Sequence, residues 1–561
     1  MGRRRSDQDE LVFLPLGGVG EIGMNVYLYG LGPEHSRKWL MVDLGVTFPD
    51  YREPGVDLVL PDLRFIEEER TNLAGILLTH SHEDHFGAVA EMWPRLGVPI
   101  YGTRFTMAML KEKLKEVPWR DEMELHEIPL GGRLNIGPFD VELVDMAHSI
   151  PDTSAVFIRT GIGTVLHSAD WKLDPTPGAG RATDGAKLQQ IGDEGVDVLV
   201  CDSTNILSQG HTVSEKAVAA SLGEIIRRAS GRVAITSFAS SVGRLLNIAK
   251  ATEAAGRSLV LVGRSMHRTV ELARETGLWP EHLKVLGEDD FQHLPRANVV
   301  ALLTGSQGEA RAALARVSEQ QHPRVSLHRG DLVIFSARAI PGNEHAIIGI
   351  QNRLADMGVE IMTEWDGGPI HTSGHPRQQE VTKLYQWLRP KTLIPMHGEP
   401  RHLEAHVAFA RAHGLNAVSP VRNGTVVRLL PGEAQIVDDA PVGRIYRDGI
   451  VLVPYEDEAV RERRKSSFVG SVVVSVVMTR NGELATDPDI SLIGVPQFAA
   501  GGNSFFDIAQ SAAIGAIESI PRPRRKGAEL TSEAVRKSVR SAINLAWGKK
   551  PIVRVLLSVI R

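Results

Sequence analysis

Apolar residues in the first 200 positions fall in short runs separated by turn residues: LVFLPLGG, NVYLYG, KWLMVDLG, AGILLTH, FDVELVDMAHS, AVFIRTG, GTVLHSAD and VDVLVCD. Their length and β-branched content predict strands. Many end in His or Asp, which predicts a polar site along one rim of a sheet. From about 214 to 366 the rhythm changes. RVAITSF, SLVLVG, NVVALLT and DLVIFSA alternate with helical stretches such as VGRLLNIAKATEAAG and NEHAIIGIQNRLADMG. That alternation predicts βαβ units and a parallel sheet. Thr212 and Glu215 have capping-box spacing at the first of these helices. Residues 367–440 return to strand-rich sequence, with KTLIPMHGE ending in a histidine. A linker is expected over 441–457. Residues 458–561 read β-β-α-α-β: FVGSVVVSVVMT and GEL around the Asn481-Gly482 turn, two helices, and PIVRVLLSVI.

Composition narrows the class. A chain of 561 residues, 42% hydrophobic and 23% charged, suits a soluble globular protein of several domains. Cys201 is the single cysteine, which excludes a disulfide framework and a cysteine zinc site and fits a reducing cytosol. No apolar run approaches the ~18 residues of a membrane helix. GRRRS near the start is basic, but LVFLPL is too short for a signal-peptide core, so a cytoplasmic location is expected. The net charge of −5 hides an asymmetry: Pro521 onward has 11 Lys and Arg against 2 Glu, a net of +9, which leaves −14 on the preceding 520 residues. A basic tail on an acidic body suggests a polyanion partner; charge alone favours the plainer reading, a solvated helix face.

Two motifs invite chemistry, and one is a decoy. GVGEIG, Gly18 to Gly23, matches the dinucleotide-binding pattern, but a strand-like MNVYLYG follows it where a helix is required. HSHEDH, His80 to His85, is different. His80 and His82 share a side of an extended segment, and Asp84 and His85 fall on the turn into a helix. Imidazole and carboxylate donors suit Zn²⁺ or Mn²⁺. Other strand ends offer His148, Asp170 and His397. His80, His82 and His148 would form one site, and Asp84, His85 and His397 a second, with Asp170 bridging them. A single structural zinc needs about four ligands. Two cations about 3.5–4 Å apart can activate a nucleophile and clamp an in-line displacement at phosphorus.

At this point the chain resembles a known family. HSHEDH, His148, HSAD ending at Asp170, and the MHG around His397 follow the motif order of the metallo-β-lactamase superfamily. The α/β insertion resembles its β-CASP branch, whose members act on nucleic acids. GGVGEIGMN, CDSTN, SFASS, VGRSM, TGSQGE, IPGNE, HTSGH and IPMHGE, in that order, are similar to the bacterial ribonuclease J family over most of the chain. The resemblance implies an α/β fold: a metallo-β-lactamase αββα sandwich with an inserted β-CASP parallel-sheet α/β domain and a small C-terminal α/β domain. The expected domains are 1–213 and 367–440 (metallo-β-lactamase), 214–366 (β-CASP), a linker over 441–457 and 458–561 (C-terminal).

The implied function is a metal-dependent ribonuclease, a 5′-to-3′ exonuclease preferring 5′-monophosphate ends, with endonuclease activity as an addition, in RNA maturation and decay. Two divalent ions per subunit are implied, Zn²⁺ first, with Mn²⁺ or Mg²⁺ as alternatives. Asp202 in CDSTN and His375 in HTSGH are implied as a pair working as general acid on the leaving 3′ oxygen. Ala239, Ser240 and Ser241, with His371, Thr372, Ser373, Gly374 and His375, are implied as a pocket for the RNA 5′ phosphate. The implied partners are single-stranded RNA, further copies of the chain (a homodimer or homotetramer through the C-terminal domain, its VVVSVV strand pairing with a copy of itself), and RNA-degradation or ribosome components, with no membrane. Ser168-Ala169 and Pro376 depart from the family pattern without removing a ligand. Three rivals stand beside this reading. The large insertion argues against a small-molecule hydrolase, and the full ligand set argues against a non-catalytic RNA-binding scaffold. A DNA-directed nuclease stays open, because no residue that reads the 2′-OH can be named.

Overall fold

A computed structural model describes residues 8–340, 342–364, 366 and 368–560. GRRRS lies outside the described residues. Two compact units divide the chain: residues up to Thr47 together with Val59–Ile445, and Phe48–Leu58 together with Tyr446 onward.

The first unit contains two large sheets. One has eight strands in the order Gln435–Asp439, Thr425–Leu430, Glu10–Gly17, Val26–Gly32, Lys38–Val42, Leu73–Leu78, Ile100–Gly102, Leu125–Glu127. The other has seven: Asn416–Ala417, Thr392–Met396, Val198–Asp202, Gly163–His167, Ser154–Thr160, Phe139–Asp145, Arg133–Ile136. They pack face to face, since one buried cluster takes Leu11, Phe13, Leu40 and Leu77 from the first and Val141, Val156, Val165 and Ile394 from the second. Helices Gly185–Glu194, Gln378–Leu388 and Pro400–Ala412 cover the outer face of the second sheet, burying Leu188, Leu384 and Ala410 against Phe157 and Leu199. The glycines of GVGEIG lead into strand Val26–Gly32, not a helix.

Residues 233–362 contribute a five-stranded, wholly parallel sheet ordered Ser258–Val262, Val299–Leu303, Val233–Thr236, Leu332–Phe335, Glu360–Met362. Both faces are covered, so its strands are continuous apolar runs and not alternating ones. Val242–Ala254 and Arg264–Glu275 lie on one face and Glu344–Asp356 on the other.

The expected capping box is not formed. Ser214 is the N-cap of helix Glu215–Arg228, its hydroxyl accepting from Ala217 N, and Glu215 is buried against Arg244. Thr212 instead donates its hydroxyl to Glu380 at 2.8 Å.

From Glu458 onward the second unit runs α-β-β-α-α-β. A helix, Glu458–Val469, precedes the strands that the sequence predicted. Strand Ser471–Thr479 alternates buried and half-buried positions and sits between Asp489–Ile493 and Ile552–Ile560. Two expectations are corrected here. The partner of the first strand is Asp489–Ile493 and not GEL, which supplies only a bridge from Leu484 to Met478. VVVSVV is a central strand, so both of its edges are already paired and it cannot pair with a copy. Phe505–Ser519 and Ala528–Trp547 bury Phe505, Ala513, Val535 and Val539 against Val472, Val474 and Val476. The segment expected as a linker holds strands Arg444–Asp448 and Val451–Pro454.

Candidate active site

Strand ends build the site. Leu73–Leu78 delivers Thr79 and His80, and a four-residue helix, Glu83–Phe86, places Asp84 and His85 on its first turn. In the second sheet Gly163–His167, Val198–Asp202 and Thr392–Met396 run parallel and in register, so Asp170, Asp202 and His397 leave the same rim. His148 follows Phe139–Asp145. Around the site, Met24 (φ 52°) and Asp43 (φ 64°) beside the first sheet and Ala169 (φ 50°) and His397 (φ 47°) beside the second are left-handed. Such conformations cost energy and concentrate where a side chain must be aimed.

The seven side chains singled out in the sequence fall into two adjoining groups. His80, His82, His148 and Asp170 form one, and Asp84, His85, Asp170 and His397 the other, with the donor atoms of each within 4.8 Å of one another. Asp170 belongs to both. Its Oδ2 is 3.9 Å from His80 Nε2, 3.7 Å from His148 Nε2 and 3.2 Å from His85 Nε2, and its Oδ1 is 2.7 Å from His397 Nδ1. A third set, Asp170, Asp202, His375 and His397, adjoins them. His375 Nδ1 is 2.8 Å from Asp202 Oδ2.

The donors fit divalent cations. In the first group His82 Nδ1 lies 3.1 Å from both His80 Nε2 and His148 Nε2. His148 Nδ1 faces Gly374 O at 2.7 Å, so in the neutral ring its Nε2 is a bare lone pair turned inward. Burial pushes His80 and His148 well below the usual imidazole value and His82 down to about 4, which keeps all three neutral and ligand-competent. In the second group burial also opposes protonation, but carboxylates outweigh it. Asp170, Asp84 and Asp43 hold His85 well above its ordinary value, and Asp170 with Asp84 lifts His397 to about 10. His397 Nε2 is buried without a hydrogen bond. Around His375, burial is likewise outweighed by the carboxylates of Asp202 and Asp170, which raise its imidazole above the usual value.

Sequence reasoning missed the supporting residues. Asp43 Oδ2 is 2.7 Å from His85 Nδ1, and its two oxygens also accept from Thr79 N and Thr79 OH at 2.8 and 2.9 Å. Asn25 donates to Asp84 O at 3.0 Å and lies 2.9 Å from His85 Nε2. The signal for Asp43 was present: it closes KWLMVD just as His80 closes AGILLT.

The two serine-rich segments are loops next to regular elements. Ala239, Ser240 and Ser241 form the turn before helix Val242–Ala254. Among 371–375, Thr372 donates to Val213 O at 2.6 Å, Ser373 Oγ accepts from His375 N at 3.1 Å, and His371 Nδ1 is buried with no hydrogen bond. Burial, with Arg244, Lys172 and Arg338 nearby, holds His371 down to about 3. Arg338 is a further cation at this loop that the sequence did not single out.

An αββα sandwich whose one rim carries this His/Asp cluster defines a metallo-β-lactamase-type metal-dependent hydrolase. Residues 19–200 match the metallo-beta-lactamase superfamily, and residues 369–420 a Zn-dependent metallo-hydrolase RNA specificity domain. Residues 230–354 match the ribonuclease J beta-CASP domain, and residues 458–560 the ribonuclease J C-terminal domain. The chain is 49% identical to a ribonuclease J of Sinorhizobium meliloti, over 99% of this chain and 98% of that one. It is 34% identical to a ribonuclease J of Thermus thermophilus, over 98% and 96%. It is 30% identical to a ribonuclease J2 of Bacillus subtilis, over 87% of each. The chain belongs to the ribonuclease J family and is a metal-dependent ribonuclease. A crystal structure of a protein of unknown function from Enterococcus faecalis V583 shares the fold, with a TM-score of 0.51 at 17% identity over 76% of this chain and all of that one. Among the described residues no helix is long and apolar enough to cross a membrane.

Proposed function

We propose that this ribonuclease works with two divalent ions, as a 5′-to-3′ exonuclease preferring monophosphorylated RNA. His80, His82 and His148 would hold one ion, Asp84, His85 and His397 the other, and Asp170 both. The ions, Zn²⁺ or else Mn²⁺ or Mg²⁺, would supply an activated water and neutralise charge at phosphorus. The observation that carries this reading is the sharing of Asp170 between two buried donor groups.

His375 stands beside that cluster. Protonated and oriented by Asp202, it donates its proton to the leaving 3′ oxygen as the P–O3′ bond breaks. The Ala239–Ser241 turn and the His371–His375 loop would cup the 5′ phosphate, with Ser240, Ser241, Ser373 and the backbone of Gly374 as donors. A pocket at a fixed distance from the cluster releases one nucleotide per cut. The remaining chain then carries a new 5′ monophosphate and fits the pocket again. Internal cutting needs no 5′ end and remains a second activity.

On this reading residues 1–213 and 367–440 are the nuclease domain, 214–366 the insertion that roofs the RNA, and 458–561 a self-association domain in a cytoplasmic enzyme of RNA maturation and decay. Ile552–Ile560 is an edge strand, and Leu556, Val559 and Ile560 on it are about half exposed. The sheet's two edges, this strand and Asp489–Ile493, and not VVVSVV, are the ones open to a second copy.

The test uses 5′-labelled RNA and DNA of one sequence, bearing monophosphate, triphosphate or hydroxyl ends. Mononucleotide release from RNA, fastest on the monophosphate, is expected. Equal rates on all three ends would remove the pocket, and equal cutting of DNA would remove the RNA preference.

A further inference from the structure

One buried guanidinium ties both phosphate-cupping loops to the segment that follows Asp170. Arg244 is 2% exposed and lies on the first turn of helix Val242–Ala254, three residues after Ser241. Its Nε and Nη2 donate to Glu215 Oε2 and Oε1 at 2.9 and 2.8 Å. Its Nη1 reaches Ser336 Oγ at 2.7 Å, Ser336 O at 3.2 Å and Ile370 O at 3.3 Å. Ser336 Oγ itself donates to Ile370 O at 2.7 Å. Ile370 is the residue before His371. On the other side Glu215 N donates to Asp174 Oδ2 at 2.8 Å, and Asp174 pairs with the buried Lys172 at 3.1 Å, two residues beyond Asp170.

The four charges of Lys172, Asp174, Glu215 and Arg244, all buried, sum to zero. A well-packed apolar pair can replace a buried ion pair at little cost in stability. It cannot hold Ser336 O and Ile370 O, however, and Ile370 O is where the guanidinium meets the start of the His371–His375 loop. Arginine offers five donors in a rigid fork, so one side chain fixes the helix start, the loop start and the Asp170 segment together. Helix and segment also touch directly: a β-carbon on Gly243 would fall 2.5 Å from Pro177 O.

We propose that Arg244 is a positioning residue that sets the span between the 5′-phosphate pocket and the His/Asp cluster, so that release of the first nucleotide depends on it and internal cleavage does not. The proposal rests on the pocket assigned above. Arg244 is buried and hydrogen-bonds to none of the seven cluster residues, so it acts through the two loops.

The test compares the parent, Arg244→Lys, and Arg244→Met combined with Glu215→Gln, which keeps the buried set neutral and so protects the fold. Substrates are linear RNA with a 5′ monophosphate or hydroxyl and a circular RNA, with bound metal measured alongside. In the double variant kcat on monophosphate RNA should fall about 10²-fold, as for a misplacement of about 1 Å. The preference over hydroxyl ends should vanish, and the first product should spread beyond one nucleotide. Circular RNA should be cut within about threefold of the parent rate and metal content should hold. Arg244→Lys, which keeps the charge but loses the fork, should fall between. A double variant that keeps the preference and the mononucleotide product overturns the proposal while the pocket stands. A parent with no 5′ preference overturns the pocket and the proposal with it. A uniform loss on linear and circular RNA also overturns the proposal, since it marks a merely structural residue.

Discussion

Asp43→Asn probes the second donor group through a residue that would not itself touch an ion. Asp43 Oδ1 accepts from Thr79 N at 2.8 Å, so an asparagine must keep its carbonyl there. Its amide nitrogen then takes the place of Oδ2, which now lies 2.9 Å from Thr79 OH and 2.7 Å from His85 Nδ1. An amide there donates. His85 Nδ1 has to accept, and the ring proton moves to Nε2. Nε2 is the atom that faces Asp170 Oδ2 at 3.2 Å and Asp84 Oδ2 at 3.6 Å, where a cation would need a lone pair. Losing the outer partner of a metal-binding histidine typically costs about 10–100-fold in affinity, or about 1.4–2.8 kcal/mol. Competition with a chromophoric chelator resolves the binding steps. One of two should weaken by about 10–100-fold and the other should hold within about twofold, with melting temperature nearly unchanged, because shape and the Thr79 bond persist. Two unaltered steps would refute the tautomer argument.

Other outcomes follow from the same geometry. Gly374→Ala would place a β-carbon 2.6 Å from His148 Cε1 and 2.9 Å from its Nδ1, so ring or loop must move by up to about 1 Å and kcat should fall about 10²-fold; turnover within threefold of the parent would show that the loop yields freely. His375→Ala should keep full metal content yet lose about 10²–10⁴ in turnover, whereas parallel loss of metal would make His375 a ligand. Burial holds His406 down to about 4, between Ser203 Oγ and Tyr385 OH. Its folded value is depressed, so its contribution is present above about 6.5 and is lost as pH falls toward 4. The penalty of His406→Gln, read by urea denaturation, should therefore shrink by about 2 kcal/mol between pH 7.5 and pH 5; a constant penalty would contradict the sign.

Legibility followed burial and locality. The strands of the first unit were readable because each is an apolar run closed by turn residues, and the donor groups because strand ends share a rim. Asp43 was not singled out, although it ends a strand in the same way, because a lone aspartate after an apolar run has many plain explanations. The Thr212–Glu215 spacing misled because Arg244, 29 residues away along the chain, takes the Glu215 carboxylate in a bidentate pair that no local pattern announces. Helix Glu458–Val469 was missed because Val460 alone is buried along it, leaving no apolar period to detect. VVVSVV reads as an adhesive edge only until its neighbours are known: Asp489–Ile493 and Ile552–Ile560 come from 10 or more residues downstream and enclose it.

The two-cation reading is tested most directly by counting bound ions per chain, by elemental analysis, in the parent and in His148→Ala, His397→Ala and Asp170→Ala, with ribonuclease turnover measured on the same preparations. Two ions in the parent are expected, one in each histidine variant with turnover lost, and fewer than one in Asp170→Ala, which would touch both. Full turnover in a parent that carries a single ion, or two ions retained in Asp170→Ala, would contradict the account.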